Sequence, residues 1–163
     1  MARIVVISDT HDRSLERLPP ELLQEMAEAD WVVHCGDYSN IALLSELRHL
    51  SRRLIGVYGN IDPREIREEL PDKTVFEVEG RRIGVIHPSW GGPPFGIEED
   101  IAKEFEGVDI ILFGHTHEAC HKTIAGVVFL NPGQAYPSFG NPASAGIVTV
   151  GQEGIEVEIR TFE

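Results

Sequence analysis

Short apolar runs alternate with amphipathic stretches in the first part of the chain. The runs cover residues 4–7, 31–35 and 54–58, and an uninterrupted apolar run is typical of a strand buried on both faces. A proline pair ending at Pro20 suits the start of a helix, and Asn40 can cap a second one. The apolar positions at helical spacing are Leu22, Leu23, Met26 and Ala27, then Leu43, Leu44, Leu47 and Leu50. The pattern predicts the order strand, helix, strand, helix, strand.

Strand patterns dominate the rest of the chain. Residues 75–78 and 83–86 flank Glu79-Gly80 and predict a hairpin, and residues 109–113 form another apolar run. Near the end, apolar residues alternate with charged ones over residues 155–160, as on a strand with one face in solvent. One further amphipathic helix is indicated by the spacing of Ile97, Ile101, Ala102 and Phe105. We therefore predict an α/β (α+β) fold, a four-layer αββα sandwich of two mixed sheets flanked by helices, as a single domain over residues 1–163.

The amino-acid composition indicates the class of protein and its cellular location. Apolar residues make up 42% and charged residues 25% of the 163 residues, as in an ordinary soluble globular protein. No apolar run approaches the roughly 18 residues that a membrane span needs, so we expect no membrane association. The segment before the first strand is too short for a signal peptide. Two cysteines, Cys35 and Cys120, do not make a disulfide framework and are interpreted as small buried hydrophobic side chains. A cytoplasmic location is expected.

The formal net charge of −13 limits the molecules that the protein can bind. Such a surface repels a phosphate backbone and gives no counterion-release affinity, so duplex nucleic acid is not expected as a partner. Carboxylates crowded into one pocket would instead favour divalent cations, which could supply the positive charge that an anionic substrate needs. The sequence leaves open whether copies of the chain form a homo-oligomer.

Polar side chains follow each of five predicted strands. The segments are Asp9-Thr10-His11, Gly36-Asp37, Gly59-Asn60-Ile61-Asp62, His87 and Gly114-His115-Thr116-His117. Ligands of open α/β sheets gather beyond the carboxyl ends of the strands. Each segment alone could be structural, with histidines in the core and aspartates or asparagine in turns, but their joint order favours ligands. The mixture of carboxylate, amide and imidazole suits Mn²⁺, Fe²⁺, Zn²⁺ or Ni²⁺, and seven donors suit two ions that share one carboxylate.

In this order, the motifs resemble those of the calcineurin-like metallophosphoesterases, and the short chain is similar to the small stand-alone prokaryotic phosphodiesterases among them. The match covers residues 4–133 and includes a late motif, Asn131-Pro132-Gly133. The resemblance implies the αββα fold and two divalent ions per chain, for which Mn²⁺ is favoured over Ni²⁺, Fe²⁺ or Zn²⁺. It implies Asp37 as the shared ligand. The other implied ligands are Asp9, His11 and His117 for one ion and Asn60, His87 and His115 for the other.

The implied activity is hydrolysis of a small phosphodiester substrate, by in-line attack of a hydroxide that bridges the two metals. The implied catalytic residues are Asp37, Asn60 and His87. The chain departs from the family pattern at Ile61, where many larger members carry a histidine that is thought to protonate the leaving group; isoleucine cannot do so. It departs as well at Pro88, where glycine is more frequent, and at Gln134, where serine is common.

Two other functions fit the same resemblance. The first is a non-catalytic interaction scaffold, for which the retromer subunit that resembles these small phosphoesterases is a precedent. The second is a metal-dependent nuclease that acts on short oligonucleotides. A full set of seven donors favours the enzyme over the scaffold, whereas Ile61 points the other way.

Several neighbouring side chains have a simpler structural interpretation. We predict that Asp62 caps a helix beginning at residues 63–65, with support of Asn60 as the alternative. His34 is interpreted as a core histidine and His49 as a solvated helix residue, whereas His121 could contact substrate. The aromatic side chains of residues 88–95 either stack on a substrate or pack the loop.

Overall fold

A computed structural model of the chain describes residues 1–11, 14–88, 90, 97–137 and 141–162. Within these residues the chain forms two five-stranded sheets. The strands are β1 (Ala2–Ile7), β2 (Trp31–His34), β3 (Leu54–Gly56), β4 (Lys73–Val78), β5 (Arg81–Ile86), β6 (Ile110–Phe113), β7 (Cys120–Ile124), β8 (Val127–Asn131), β9 (Ala143–Gly151) and β10 (Gly154–Phe162). The helices are α1 (Pro20–Glu28), α2 (Ile41–Leu50), α3 (Arg64–Glu69) and α4 (Glu98–Ala102), with a short 3-10 helix at Leu15–Arg17.

Both sheets are mixed, as predicted. The first has the order β10-β9-β1-β2-β3; β1, β2 and β3 are parallel, whereas β9 is antiparallel to β1 and to β10. The second has the order β4-β5-β6-β8-β7; β5, β6 and β8 are parallel, and β4 and β7 are antiparallel edge strands. The carboxyl ends of the parallel strands of each sheet therefore lie at one end of that sheet.

Three layers of buried apolar side chains confirm the αββα sandwich. Helices α1 and α2 pack on the outer face of the first sheet, where Leu22 and Leu44 lie in one cluster with Val5. A second cluster, which includes Val6 and Leu112, fills the space between the two sheets. A third cluster places α4 against the outer face of the second sheet. The continuous apolar runs of the sequence are thus strands that are covered on both faces.

The local signals in the sequence have the expected structural effects. The N–H of Ala42 donates to the Asn40 side chain, which therefore caps α2. Pro20 is the first residue of α1. The hairpin β4–β5 turns at Glu79 and Gly80, which both have positive φ angles.

Two elements end at least two residues before their predicted ends. The strand predicted over residues 54–58 ends at Gly56, because its neighbour β2 ends at His34 and the chain then leaves the sheet edge. The N–H of Tyr58 donates to the Pro71 carbonyl instead of to a strand. The helix predicted from residue 97 to residue 105 ends at Ala102, and Phe105 lies in the turn that follows.

No helix among the described residues is long and apolar enough to cross a membrane.

Candidate metal centre

The loops that follow β1, β2, β3, β5 and β6 meet at one end of the sandwich. Register brings the strand ends together, because Ile7 pairs with His34 in the first sheet and Ile86 pairs with Phe113 in the second. Two hydrogen bonds then link the loops: the N–H of Asp9 donates to the Gly36 carbonyl, and that of His115 donates to Asp9 Oδ2. The structure therefore brings the sequence-predicted donor residues into one region.

One group of four donor residues surrounds a single point. The ligand atoms of Asp9, His11, Asp37 and His117 all lie within 4.8 Å of one another. His117 Nε2 lies 3.5 Å from Asp9 Oδ1, and His11 Nε2 lies 3.9 Å from Asp37 Oδ2. We call these four residues the first cluster; they are the residues that the family resemblance implies as ligands of one ion.

The remaining three donors, Asn60, His87 and His115, form a second cluster together with Asp37, which belongs to both clusters. Asn60 Oδ1 lies 2.7 Å from His87 Nε2 and 3.3 Å from His115 Nδ1. Asp37 Oδ2 lies 3.3 Å from His87 Nε2 and also faces His11 in the first cluster. One carboxylate oxygen of Asp37 therefore faces both clusters.

The first cluster contains polar atoms that lack partners. Asp9 Oδ1 and His11 Nε2 are buried and form no hydrogen bond with any described residue, and they lie 3.8 Å apart. Buried polar atoms in folded proteins are nearly always hydrogen-bonded. A cation between these two atoms would satisfy both lone pairs, so the first cluster fits a metal ion.

The second cluster places several acceptors face to face. The Nδ1–H of His87 donates to the Cys35 carbonyl at 2.8 Å, so Nε2 of the neutral ring carries a lone pair. That lone pair faces Oδ1 of Asn60 and Oδ2 of Asp37 at 2.7 and 3.3 Å. Three acceptors in such contact need a shared proton or a cation. Their mixture of nitrogen and oxygen donors suits a divalent transition metal.

Electrostatic interactions within the two clusters favour positive charge. The Asp9 carboxylate raises the pKa of His11 above its ordinary value. Burial lowers the pKa of His87, but the contact with Asp37 and the negative charges of Asp9 and Asp37 together outweigh burial and raise the pKa. Burial and the nearby His87 lower the pKa of His115. Because a metal ligand must be unprotonated, cation binding at this site competes with protons on His11 and His87.

Left-handed backbone conformations are concentrated at the donor residues. The φ angles are 52° at Asp9, 47° at His11, 64° at Asp37, 92° at His115 and 64° at His117. This region costs an L-residue roughly 1–2 kcal/mol and persists where surrounding contacts impose it. Tertiary contacts therefore hold these side chains in place against the intrinsic preference of the backbone.

Asp62 supplies part of that restraint. Its carboxylate accepts the N–H groups of Asp37, Ser39 and Gly59 at 2.9, 2.8 and 2.7 Å. The prediction that Asp62 caps the following helix is wrong: the cap residue of α3 is Pro63, and no side chain caps that helix. The alternative prediction, that Asp62 supports Asn60, is closer to the structure, but the residue that Asp62 holds is Asp37. Burial and the negative charge of Asp37 raise the pKa of Asp62, and the N–H donors offset part of that effect.

Two glycines allow the loops to approach one another. A Cβ atom at Gly36, whose φ is 103°, would lie 2.6 Å from His87 Nδ1. A Cβ atom at Gly59 would overlap the Asp37 carboxylate. Both glycines therefore leave room for a candidate metal-binding side chain of another loop.

His34 is a core histidine, as predicted, but it also connects two of the loops. Its Nδ1 accepts the N–H of Gly36 at 3.0 Å, and its Nε2–H donates to Thr10 Oγ1 at 3.1 Å. Burial lowers the pKa of His34 to about 3, so the ring is neutral. Thr10 lies between Asp9 and His11, and the ring therefore ties their loop to that of Asp37.

We expect His34→Phe to destabilise the protein, because both hydrogen bonds are lost and the Gly36 N–H and Thr10 hydroxyl remain buried. Each unsatisfied group costs about 1–3 kcal/mol. The free energy of unfolding of the metal-free protein, measured in urea, should fall by at least the cost of one such group. Tyr38→Phe is the matched control, because the Tyr38 hydroxyl is buried with no hydrogen-bond partner among the described residues and the ring stacks on His34. Equal stability of the two variants would contradict the role of His34.

The late sequence motif supports the loop of the last two histidines. The Asn131 side chain donates to Thr116 Oγ1 at 2.8 Å and accepts the N–H of Gly133 at 2.9 Å. Thr116 lies between His115 and His117. The sequence contained these residues within its motifs but gave no sign of the contact between them.

The other sequence hypotheses have mixed outcomes. Ile61 is 47% exposed, and its N–H donates to Asp37 Oδ1 at 3.1 Å. His49 is exposed on α2 with Nδ1 against the Ser45 carbonyl, as predicted for a helix residue. His121 is exposed on β7, and its contact with a substrate stays a prediction. The loop of residues 88–95 lies mostly outside the described residues.

Comparison with protein families gives one match over nearly the whole chain. The family model described as the calcineurin-like phosphoesterase superfamily domain matches residues 2–153. A probable metallophosphoesterase of Methanocaldococcus jannaschii is 35% identical over 80% of this chain and 66% of its own length. A probable metallophosphoesterase of Methanothermobacter thermautotrophicus is 32% identical over 96% of this chain and 90% of its own length. The chain thus spans just under two thirds of the first relative and most of the second.

Solved structures share the fold. The solution NMR structure of a Thermotoga maritima protein has a TM-score of 0.77 and 34% identity, and the match covers 99% of this chain and all of that one. A structure described as a novel archaeal phosphodiesterase has a TM-score of 0.73 and 23% identity, over 97% of this chain and 99% of that one. Vps29 of Entamoeba histolytica, solved with zinc, has a TM-score of 0.74 and 23% identity, over 99% of both chains. At these lower identities, the last two matches show the fold alone.

Proposed function

This chain belongs to the calcineurin-like phosphoesterase superfamily, and we propose that it is a cytoplasmic phosphodiesterase that uses two divalent metal ions to hydrolyse a small phosphodiester. The observation that carries the proposal is the meeting of two donor clusters at one oxygen of Asp37. The whole site lies within one domain, which we assign to residues 1–163.

We assign one ion to the first cluster and one to the second, with Asp37 shared. The orphaned atoms Asp9 Oδ1 and His11 Nε2 support the first assignment, and the facing acceptors of His87 and Asn60 support the second. Mn²⁺ is the ion we favour, since three carboxylate and amide residues stand beside four imidazoles. When bound, two such ions acidify water and neutralise negative charge on a phosphoryl group.

The chain's own residues orient the reaction. Asp37 is held at its N–H by Asp62 and at Oδ1 by the N–H of Ile61, which leaves Oδ2 directed at the two clusters. Asn60 directs Oδ1 at His87 and His115, so its NH₂ group faces the other way and can donate to a phosphoryl oxygen. His87 is fixed by its bond to the Cys35 carbonyl. These restraints preorganise the polar groups before a substrate binds.

We expect the protein to bind two Mn²⁺ ions per chain and to hydrolyse bis(p-nitrophenyl) phosphate only when they are bound. Elemental analysis and calorimetric titration of metal-stripped protein measure the stoichiometry. One ion or none at saturation would overturn the assignment of two clusters. Two ions without hydrolysis of aryl diesters, cyclic nucleotides or dinucleotides would favour a scaffold, and cleavage of short oligonucleotides alone would favour a nuclease.

A further inference from the structure

A pocket of about 480 Å³ opens beside the first cluster and shares His117 as part of its wall. Its volume lies within the roughly 300–1,000 Å³ of small-molecule sites. The loop after β6 contributes His117 and Glu118. Asn141, two residues before β9, and Thr161, near the end of β10, contribute the other side. A substrate whose phosphorus lies at the metal clusters can therefore extend directly into this pocket.

The pocket is tied to the metal clusters on a second side. Gln134, another wall residue, follows the Asn131-Pro132-Gly133 motif, and its side chain donates to the Tyr136 carbonyl at 3.2 Å. The Tyr136 ring stands edge-on to the His11 ring, with 6.1 Å between the ring centroids. Tyr136 therefore contacts a wall residue of the pocket through its carbonyl and a proposed metal ligand through its ring.

The wall combines apolar residues such as Ala119 and Pro142 with hydrogen-bonding side chains, and it has little charge. Asn141 and Gln134 contribute amides and Thr161 a hydroxyl. Among the wall residues that the structure describes, none is a lysine or arginine, and Glu118 is the single carboxylate. Within the pocket, Glu118 would repel a phosphate or carboxylate group, whereas a neutral group with hydrogen-bonding atoms would find the Asn141 amide and the Thr161 hydroxyl.

We infer that this pocket binds the organic group of the phosphodiester and selects an uncharged, hydrogen-bonding group of nucleoside size over an anionic one. The inference rests on the proposed function, because the phosphodiester is placed at the metal clusters. It adds a substrate class and assigns Glu118 and Asn141 as residues that determine specificity.

The test compares three p-nitrophenyl diesters that differ in the second group: thymidine, phenyl and carboxyphenyl. We expect Glu118→Gln to raise kcat/KM for the carboxyphenyl diester about two- to fivefold, the size of an exposed charge interaction, and to leave the phenyl diester within about twofold. Asn141→Ala should lower kcat/KM for the thymidine diester about fivefold through KM, with little effect on the phenyl diester. Glu153→Gln is the control, because it makes the same charge change at an exposed turn between β9 and β10.

Direct binding separates this inference from the proposed function. By calorimetry on the metal-loaded protein, thymidine 5′-monophosphate should bind at least about tenfold more tightly than inorganic phosphate, and Asn141→Ala should reduce that ratio. If no diester were hydrolysed but this ratio of affinities were as expected, the proposed catalysis would be refuted and the inferred binding pocket would stand. Hydrolysis with an unchanged ratio in Asn141→Ala, or an equal gain for Glu118→Gln and Glu153→Gln, would refute the pocket.

Discussion

Asp37→Asn is expected to lower kcat on bis(p-nitrophenyl) phosphate on the order of 10³-fold and to weaken the binding of both ions. Asp37 Oδ2 lies 3.3 Å from His87 Nε2 in one cluster and 3.9 Å from His11 Nε2 in the other. An amide keeps the shape of the side chain but removes the negative charge that both ions would share. Loss of metal-assisted charge stabilisation is worth several kcal/mol, and each 1.36 kcal/mol is a factor of ten in rate.

The variant should still fold, because Asp37 is held mainly through its backbone. Its N–H donates to Asp62, and the oxygen of an asparagine can still accept the N–H of Ile61 in the place of Oδ1. Circular dichroism and metal titration should therefore show a folded protein with reduced affinity at both sites. Asp100→Asn is the matched control, since that carboxylate is exposed on α4 and outside both clusters. If Asp37→Asn retained two tightly bound ions and wild-type turnover, the shared ligand would be another residue.

The fold was predictable largely because central strands such as β1 and β6 are covered on both faces. Apolar runs such as residues 4–7 are recognisable as buried strands because no polar residue interrupts them. The order of these strands and of the helices between them is compatible with few sheet topologies. The boundaries were less predictable, since they depend on neighbours distant in sequence. Tyr58 leaves the sheet because its N–H has a partner at Pro71 rather than in a strand, and the sequence around Tyr58 contains no sign of that contact.

The candidate site, too, was predictable in part: its donor residues were, but the contacts that hold them were not. The seven donors come from five loops, and strand ends bring them together once the sheets are known, so their meeting could be predicted from motif order. The contacts that hold the loops could not be predicted. Asp62 bonds to the N–H of Asp37, and His34 bonds to the side chain of Thr10. Both contacts join segments separated by about two dozen residues, and any aspartate or histidine beside a turn has several local partners that compete with them.

Ile61→His is expected to raise the rate on poor leaving groups up to about 10²-fold and to change good leaving groups little. An alkoxide of high pKa needs a proton as it leaves, and a positioned acid is worth roughly 10²–10⁴-fold, whereas an aryl oxide leaves without one. Many larger members of the family that the motifs resemble carry histidine where this chain has Ile61. The Ile61 side chain is 47% exposed next to Asn60, so an imidazole can be placed there without entering the core.

A rate series across leaving-group pKa, measured for aryl and alkyl diesters, tests this expectation. The wild-type rate should fall steeply as the leaving-group pKa rises, and Ile61→His should flatten that slope. Ile61→Phe is the matched control, because it places a ring at the same position with no proton to give. Both variants keep the backbone N–H that donates to Asp37 Oδ1 at 3.1 Å, so the shared carboxylate stays in place in each. A gain that appeared equally with phenylalanine would reflect packing at the mouth of the site. A flat wild-type slope with no selective gain from histidine would mean that another group supplies the proton, and the exposed His121 on β7 would be the next residue to replace.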